Sequence, residues 1–472
     1  MKVAIVGSGI SACACGVRLK EMGIPFTILE KTGSAGGKLL TETLDGFVVE
    51  GGPDSFLPEK PWTLDLIRKV GIENELLCSQ DEHKGTYIYS GGRLHRLPEG
   101  VMLMVPTMIM PLLRSKLITL PGKMRMGLEF FLPPRQDEAD ESLAQFVTRR
   151  LGRECLEKIA EPLVAGIHTS NPDNMSVKAI FPRFIDMERK YGSLIKGMVR
   201  MMKLAKPQGD EGKKMTYFMS LKRGMQELVD SSLAFMGTGN VALSSEVVRV
   251  ARGSGGYEVS IGPEKMVFDA VVLTTPSYVT AGIIREMAPS LADRLSAIEW
   301  SSTATISLAF RKQDIVSALP GFGFIVPRME GRRINAATWS SIKWPLRAPS
   351  HSVLVRCFVG GGHDEELVSL ADEDLLPIVL QELKEIAGIG AQPTFSKVYR
   401  WEKSMPRYTV GHLDRVAAMD EALKAFPGLY LIGSSYRGIG IGDCVKSGFE
   451  AAEAVLKLLE PVRREGAPPF GP

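Results

Sequence analysis

The chain opens on a short apolar run, Lys2 to Val6, closed by Gly7. A run this short, without polar alternation, predicts a buried parallel strand. A helix to about Met22 follows, stopped by Gly23 with Pro25 just beyond, and a second apolar run, Phe26 to Leu29, ends at Glu30. Lys222 to Met225 reads as a turn leading into a helix that ends near Leu233. Val241 to Val250 and Glu258 to Gly262 predict strands, and Phe268 to Thr274 a buried one ending at Thr275-Pro276. The apolar-run-then-glycine pattern returns at Leu429 to Gly433, with a helix predicted after it from about Val445 to Leu459. Between about 85 and 210 the pattern is helical and rich in Met. No internal repeat is found.

The residues that close the first run carry chemistry. Gly7, Ser8, Gly9, Ile10, Ser11 and Ala12 spell G-x-G-x-x-A between a strand and a helix. Gly7 permits the tight turn, Gly9 lets backbone approach a pyrophosphate, and Ala12 is small enough for the helix to pack on the strand. The helix end offers free N–H groups and the positive end of its dipole to phosphates. Glu30 lies 21 residues after Gly9, where a carboxylate can accept hydrogen bonds from ribose hydroxyls. A second glycine turn with a cation, Gly36-Gly37-Lys38, and a further backbone-rich loop, Gly51-Gly52-Pro53-Asp54-Ser55, suit a long dinucleotide. FAD is therefore expected rather than NAD. The C-terminal run Gly433 to Cys444 holds four glycines that let backbone lie against a planar ligand, and Asp443 sits at the predicted helix start.

Composition narrows the picture. The 472 residues are 44% hydrophobic and 24% charged, enough for a large core in two or three lobes. The net charge of +3 gives no reason to expect nucleic acid. The six cysteines form no C-x-x-C pair and no zinc-like cluster with histidine, so they read as reduced thiols of a cytoplasmic protein. Cys13 and Cys15 are expected to pack as small hydrophobes. No signal peptide is read before the first strand. The longest uncharged apolar stretch, Val101 to Leu113, is too short for a bilayer span and is broken by Pro106 and Pro111.

With these motifs, and with Gly51 to Phe56, Gly91 to Pro98, Tyr191 to Leu194, Gly321 to Pro327 and Trp401 through Pro406-Arg407-Tyr408 to Gly411-His412, the chain resembles the protoporphyrinogen and coproporphyrinogen oxidases of haem synthesis, within the amine-oxidase-like flavoproteins. The match extends along nearly the whole chain. The resemblance implies FAD bound by Gly7 to Ala12, Glu30, Lys31, Lys38 and Gly52 to Ser55. It implies backbone contact to the adenine side at Val247 or Val248, and Trp401, Gly440, Ile441, Gly442 and Asp443 near the isoalloxazine. Phe358 and Ile325 match positions that sandwich the tetrapyrrole, and Gly166 lies in the loop approaching it. Ser8 and Ala12 stand where the family usually has Gly, and Gly442 where Pro is common. Ile167 to Pro172 replaces a segment that usually reads Ile-Tyr-Ala-Gly-Asp. Thr86 falls where eukaryotic members carry a substrate-binding Arg; Arg93 and Arg183 are the substitutes considered. His168 reads as a packed or capping loop residue. No catalytic acid or base is assigned.

The implied activity is six-electron oxidation of a porphyrinogen to a porphyrin, in three two-electron steps to the flavin, with oxygen as acceptor. Protoporphyrinogen IX is placed slightly ahead of coproporphyrinogen III. Rivals are an amine oxidase or carotenoid desaturase and a flavin-free carrier resembling a GDP-dissociation inhibitor. The expected fold is α/β: a discontinuous Rossmann-like FAD-binding domain (1–60, 211–275, 425–460), an α+β substrate domain (276–424 with 61–84), a helical insertion (85–210) and a disordered tail (461–472). Basic residues Arg114, Lys116, Lys123, Arg125, Lys196, Arg200, Lys203 and Lys206 beside Met and Leu make the insertion a candidate membrane surface, with the protein peripheral on the inner face. A homodimer is left open.

Overall fold

A computed structural model describes residues 2–102, 104–168, 170–204, 215–315, 319–362 and 364–466. The two main sheets are built from β1 (Val3–Val6), β2 (Phe26–Leu29), β3 (Thr86–Ser90), β4 (Arg93–Arg96), β5 (Val241–Ala242), β6 (Ala270–Leu273), β7 (Trp300–Arg311), β8 (Gly323–Ile325), β9 (Ala336–Trp339), β10 (Ser352–Gly360), β11 (Phe395–Pro406) and β12 (Leu429–Leu431).

The first sheet is parallel throughout, in the order β5-β2-β1-β6-β12. Its central strands are apolar end to end because helices cover both faces. The first helix, Ile10–Glu21, and the last, Ile441–Gly466, pack together through small residues. A Cβ on Gly448 would lie 2.4 Å from the Ser11 carbonyl, and one on Gly16 would lie 2.3 Å from the Met236 sulfur. Burial raises the Cys13 and Cys15 thiols to about 12, so both are inert packing groups.

The second sheet runs β11-β7-β10-β9-β8-β3-β4, and only the β8–β3 pair is parallel. Its strands alternate strictly. Ala304, Ile306, Leu308 and Phe310, with Ala337, Val355, Cys357 and Val359, face the helix Asp372–Ala387 through Leu375, Val379 and Leu383. The opposite face looks toward the cofactor domain and the insertion.

Several boundaries differ from the sequence expectation. The helix Pro61–Lys69 buries Leu64, Leu66 and Ile67 in the core beneath the parallel sheet, so 61–84 sides with the cofactor domain; Leu76–Cys78 pairs with Met219–Leu221. The stretch 85–210 is not wholly helical: β3 and β4 belong to the second sheet, and the insertion begins after them. Helices Ser277–Ile284, Pro289–Ser296 and His412–Leu423 pack on the parallel sheet, leaving 300–406, with β3 and β4, to the second sheet. Amphipathic helices carry no label for the sheet they will cover, which is why these assignments needed tertiary packing. The last helix continues to Gly466, into the stretch expected to be disordered, and 467–472 lie outside the described residues.

Candidate active site

The carboxyl ends of β1, β6 and β12 converge, the usual place for a ligand in an open parallel sheet. Gly7 has φ +94°, and a Cβ there would meet the Thr274 hydroxyl at 2.7 Å. Gly433 follows β12, its would-be Cβ 3.8 Å from the Ser11 hydroxyl. The first helix starts at Gly9 with no side-chain cap and no acid in its first turn. By contrast, the helix Leu143–Arg150 closes its N-terminus with a Ser142–Gln145 capping box. A buried helix end left uncapped is the arrangement that receives an anion.

Glu30 is buried, and both carboxylate oxygens are occupied. One accepts from the Ser8 amide (2.9 Å) and hydroxyl (2.6 Å), the other from the Thr32 amide (2.9 Å) and hydroxyl (2.8 Å). Glu30 therefore fixes the glycine turn as well as facing the crevice. The amide of Ser245 donates to the Glu30 carbonyl at 2.7 Å, bringing the 244–248 segment to this side. Val247 is buried there, whereas Val248 and Lys31 are exposed.

The other glycine loops meet the first. Gly36 bridges Gly9, with its amide 3.2 Å from the Ser8 carbonyl, and a Cβ on Gly37 would touch Gly9 Cα at 3.4 Å. A Cβ on Gly52 would lie 1.7 Å from the Lys38 carbonyl, so only glycine fits. The Lys38 side chain reaches the second sheet. Its ammonium donates to the Ser404 carbonyl and lies 5.4 Å over the Trp300 ring, and burial lowers its pKa to about 8.

Gly51 to Ser55 is tied to the second sheet by side chains. The Gly51 carbonyl accepts from Thr305 (3.0 Å), Arg356 (3.0 Å) and Trp401 (2.8 Å), and the Gly52 carbonyl accepts from Arg356 at 2.6 Å. Asp54 is turned away from the crevice. It accepts from Ser55 (2.7 Å) and Trp344 (3.0 Å) and pairs with Lys343 at 3.2 Å. Burial pushes its carboxyl upward, but Lys343 and Arg356 outweigh that and hold it well below the usual carboxylate range. Asp54 thus locks the loop through buried charge; Pro53 is exposed beside it.

At the C-terminal loop, Gly440 and Gly442 flank Ile441 at the start of the last helix. Asp443 pairs with Lys60 at 2.6 Å, so this helix end is held by a charge from the residue that precedes the helix Pro61–Lys69.

On the second sheet, strand register decides the geometry. Ile325 pairs with Ala336, Ala336 with Phe358, Phe358 with Thr305, and Thr305 with Tyr399. Directly paired residues point to one face, so these form a single row. Ile325 packs against the insertion core that contains Ile88, and Tyr399 bonds Glu42 of the cofactor domain at 2.6 Å. Between those covered ends, Ile325, Ala336 and Phe358 remain only part-buried. Ile325 and Phe358 stand two strands apart, roughly 10 Å, with a methyl group between them. Ala336 was not singled out from the sequence, where only its pairing partners would have marked it. Gly166 and His168 lie on the helix Glu161–His168 rather than in a loop. That helix packs near β8, and Glu161 accepts from the Arg328 amide at 3.2 Å. Thr86 pairs with Gly323 one pleat from Ile88, Arg93 is exposed on β4, and Arg183 pairs with Glu59 at 3.0 Å.

A family model described as flavin containing amine oxidoreductase matches residues 9–456. The chain belongs to that family. As a member it is an FAD-dependent oxidoreductase of α/β fold. It is 34% identical to coproporphyrinogen III oxidase of Bacillus subtilis (strain 168) over 97% of this chain and 98% of that protein. Identity to the coproporphyrinogen III oxidase of Staphylococcus aureus (strain NCTC 8325 / PS 47) is 31%, over 97% and 99%. Protoporphyrinogen oxidase 2 of Arabidopsis thaliana matches at 26% over 99% and 96%. A crystal structure from Exiguobacterium sp. 255-15, provisionally named protoporphyrinogen oxidase, superposes with a TM-score of 0.84 at 32% identity, covering 97% and 99% of the two chains. Reduced UDP-galactopyranose mutase, with a TM-score of 0.71 at 15% identity, shares the fold.

Proposed function

We propose that this flavoenzyme oxidises a porphyrinogen to the porphyrin, with coproporphyrinogen III ahead of protoporphyrinogen IX and oxygen as acceptor. The observation that carries the reading is the Ile325–Ala336–Phe358 row. Two apolar walls with a small residue between them form a slot for a flat macrocycle standing edge-on to the sheet. One end of the row is closed by the insertion and the other by the cofactor domain. The substrate order rests on identity: 34%, 31% and 29% to three coproporphyrinogen III oxidases against 26–29% to the plant protoporphyrinogen oxidases.

In this reading the uncapped helix end at Gly9 to Ala12 holds the pyrophosphate, Glu30 the ribose, and the 244–248 segment the adenine side. Gly52, Trp401 and Gly440 to Gly442 border the flavin ring. Bound FAD supplies the two-electron oxidation. The chain's own part is placement. Arg356, Thr305 and Trp401 fix the Gly51–Gly52 backbone against the same sheet face that carries Phe358 and Ile325. Substrate and cofactor are thereby referenced to one rigid surface. Anaerobic mixing with each porphyrinogen tests it: bleaching of bound flavin with growth of porphyrin fluorescence is expected, fastest with coproporphyrinogen. Flavin that stays oxidised with both overturns the reading.

We further infer a peripheral membrane surface on the insertion. Ile109 is 76% exposed, Leu120 65% and Phe131 79%, with Met124, Leu128 and Met202 exposed nearby. Arg114, Lys116, Arg200 and Lys203 are exposed beside them, while Lys196 lies 4.3 Å over the Phe130 ring. Not every basic residue of the stretch is available. Lys123 donates to the Leu113 and Ser115 carbonyls, Arg125 to those of residues 148–150, and Lys206 lies outside the described residues. No helix among the described residues is long and apolar enough to cross a membrane. Co-sedimentation with anionic but not neutral vesicles is expected; no binding to either sinks the inference.

A further inference from the structure

The segment after β11 touches two other parts of the molecule. Its backbone is knitted to the insertion. The Tyr408 carbonyl accepts from the Ser176 amide at 2.8 Å, the Val410 amide donates to the Asn174 carbonyl at 2.9 Å, and the Gly411 amide donates to Asp140 at 2.9 Å. Its side chains point the other way, into the loop that follows β12. The Tyr408 hydroxyl donates to the Ser434 carbonyl at 2.7 Å and accepts from the Gly438 amide at 2.9 Å. One hydroxyl therefore closes the turn from 434 to 438 across its mouth. His412 Nε2 lies 2.7 Å from the Tyr436 carbonyl. A carbonyl can only accept, so Nε2 carries the proton. The imidazole is fully buried, Nδ1 has no partner among the described residues, and burial lowers its pKa to about 4, so the ring is neutral. The two rings stack at 3.9 Å with an interplanar angle of 14°.

We propose that Tyr408 and His412 are positioning residues for the cofactor: they hold the 434–438 turn, and with it Gly440 to Gly442, in the shape that receives the flavin ring. The geometry supports this over a purely packing role. Three polar backbone groups of the 434–438 turn are satisfied by two side chains from another element, and Gly438 has φ +144°, a conformation with little of its own to hold it. The same segment makes the insertion a neighbour of the 434–442 loop through a short stretch of chain. The proposal rests on the reading that Gly440 to Gly442 border the flavin.

The test is FAD titration of the apoprotein, followed by the visible absorption of bound flavin, for Tyr408→Phe, His412→Phe and Gly440→Val. Tyr408→Phe keeps the stack and removes only the hydroxyl. It is expected to weaken FAD binding about ten-fold and to shift the bound-flavin bands. His412→Phe keeps a ring and removes the donor to Tyr436, and should move both readouts in the same direction if Tyr408→Phe fails to fold. Gly440→Val probes the loop itself, since a Cβ there meets side-chain ends alone, Asp443 Oδ2 at 3.1 Å and Lys60 Nζ at 4.0 Å. If Gly440→Val weakens FAD while the foldable ring variants bind it with unchanged affinity and spectrum, the loop meets the flavin but the positioning proposal is overturned. If none of the variants alters binding or spectrum, the loop reading itself fails and the proposal with it.

Discussion

At the end of β1, the proposed cofactor site, the molecule presents backbone; on the face of β8 to β10, the proposed substrate site, it presents side chains. The first surface is made from Gly7, Gly9, Gly36, Gly37 and Gly52; a Cβ on Gly52 would lie 1.7 Å from a carbonyl, whereas one on Gly9 would meet nothing within 4 Å. In the proposed reading such a surface recognises features common to every dinucleotide, and at Gly7, Gly36 and Gly52 it has no room for an added atom. The second is a row of Ile325, Ala336 and Phe358 set by strand pairing. It recognises shape, and its residues can be exchanged at the cost of fit alone. The two are joined by Gly51 to Asp54, where backbone carbonyls are gripped by Arg356, Thr305 and Trp401.

If that contrast is right, perturbations should rank by how much backbone they move. Gly52→Ala is expected to cost about 4 kcal/mol and to yield protein without retained FAD, because the obstruction is the Lys38 carbonyl and not a flexible side chain. Flavin content after purification reads this; a fully flavinylated variant would show that the loop can shift, breaking the distinction. Asp54→Asn should cost about 3 kcal/mol by leaving Lys343 and Arg356 without their counter-charge. The native carboxyl titrates below its unfolded value, so its stabilisation is present above about pH 4 and lost as pH falls further. The gap between wild type and variant in thermal melts should therefore close in acid.

On the side-chain surface the effects should be smaller and should spare the cofactor. Ala336→Leu fills the slot between Phe358 and Ile325. A loss of about 2 kcal/mol in porphyrinogen kcat/KM, roughly thirty-fold, is expected with FAD affinity unchanged. Equal turnover would move the substrate elsewhere. The smallest effect is at Glu161, whose pKa burial raises from 4.5 to about 7. Between those values the native state binds more protons than the unfolded chain, so stability falls as pH rises through the window. Glu161→Gln, which can still accept the Arg328 amide, should remove that fall and gain about 1 kcal/mol over wild type near pH 8, but not near pH 4. Parallel melt-versus-pH curves for the two proteins would contradict it.

Much of the cofactor half was legible in the sequence. A short apolar run closed by Gly7-Ser8-Gly9, then a helix, then Glu30 at a strand end, is a local pattern with a local cause. The side-chain directions at Lys38, Asp54 and Asp443 were not legible. Each charge found a partner far along the chain: the Ser404 carbonyl, Lys343 and Lys60. Nor did the pattern show that the helix Pro61–Lys69 packs beneath the parallel sheet, since an apolar stripe does not name its partner.

By itself, then, the order of residues determined that the chain is an FAD-dependent, porphyrinogen-oxidase-like flavoprotein, and it pointed to the turn after the first strand as the dinucleotide crevice, because glycine placement and strand-to-helix punctuation act over a few residues. Only the tertiary structure decided that Ala336 stands between Phe358 and Ile325, that Asp54 locks a loop, and that Tyr408 and His412 close the last glycine turn. Those facts depend on register and burial between segments tens to hundreds of residues apart, and no local pattern carries that information.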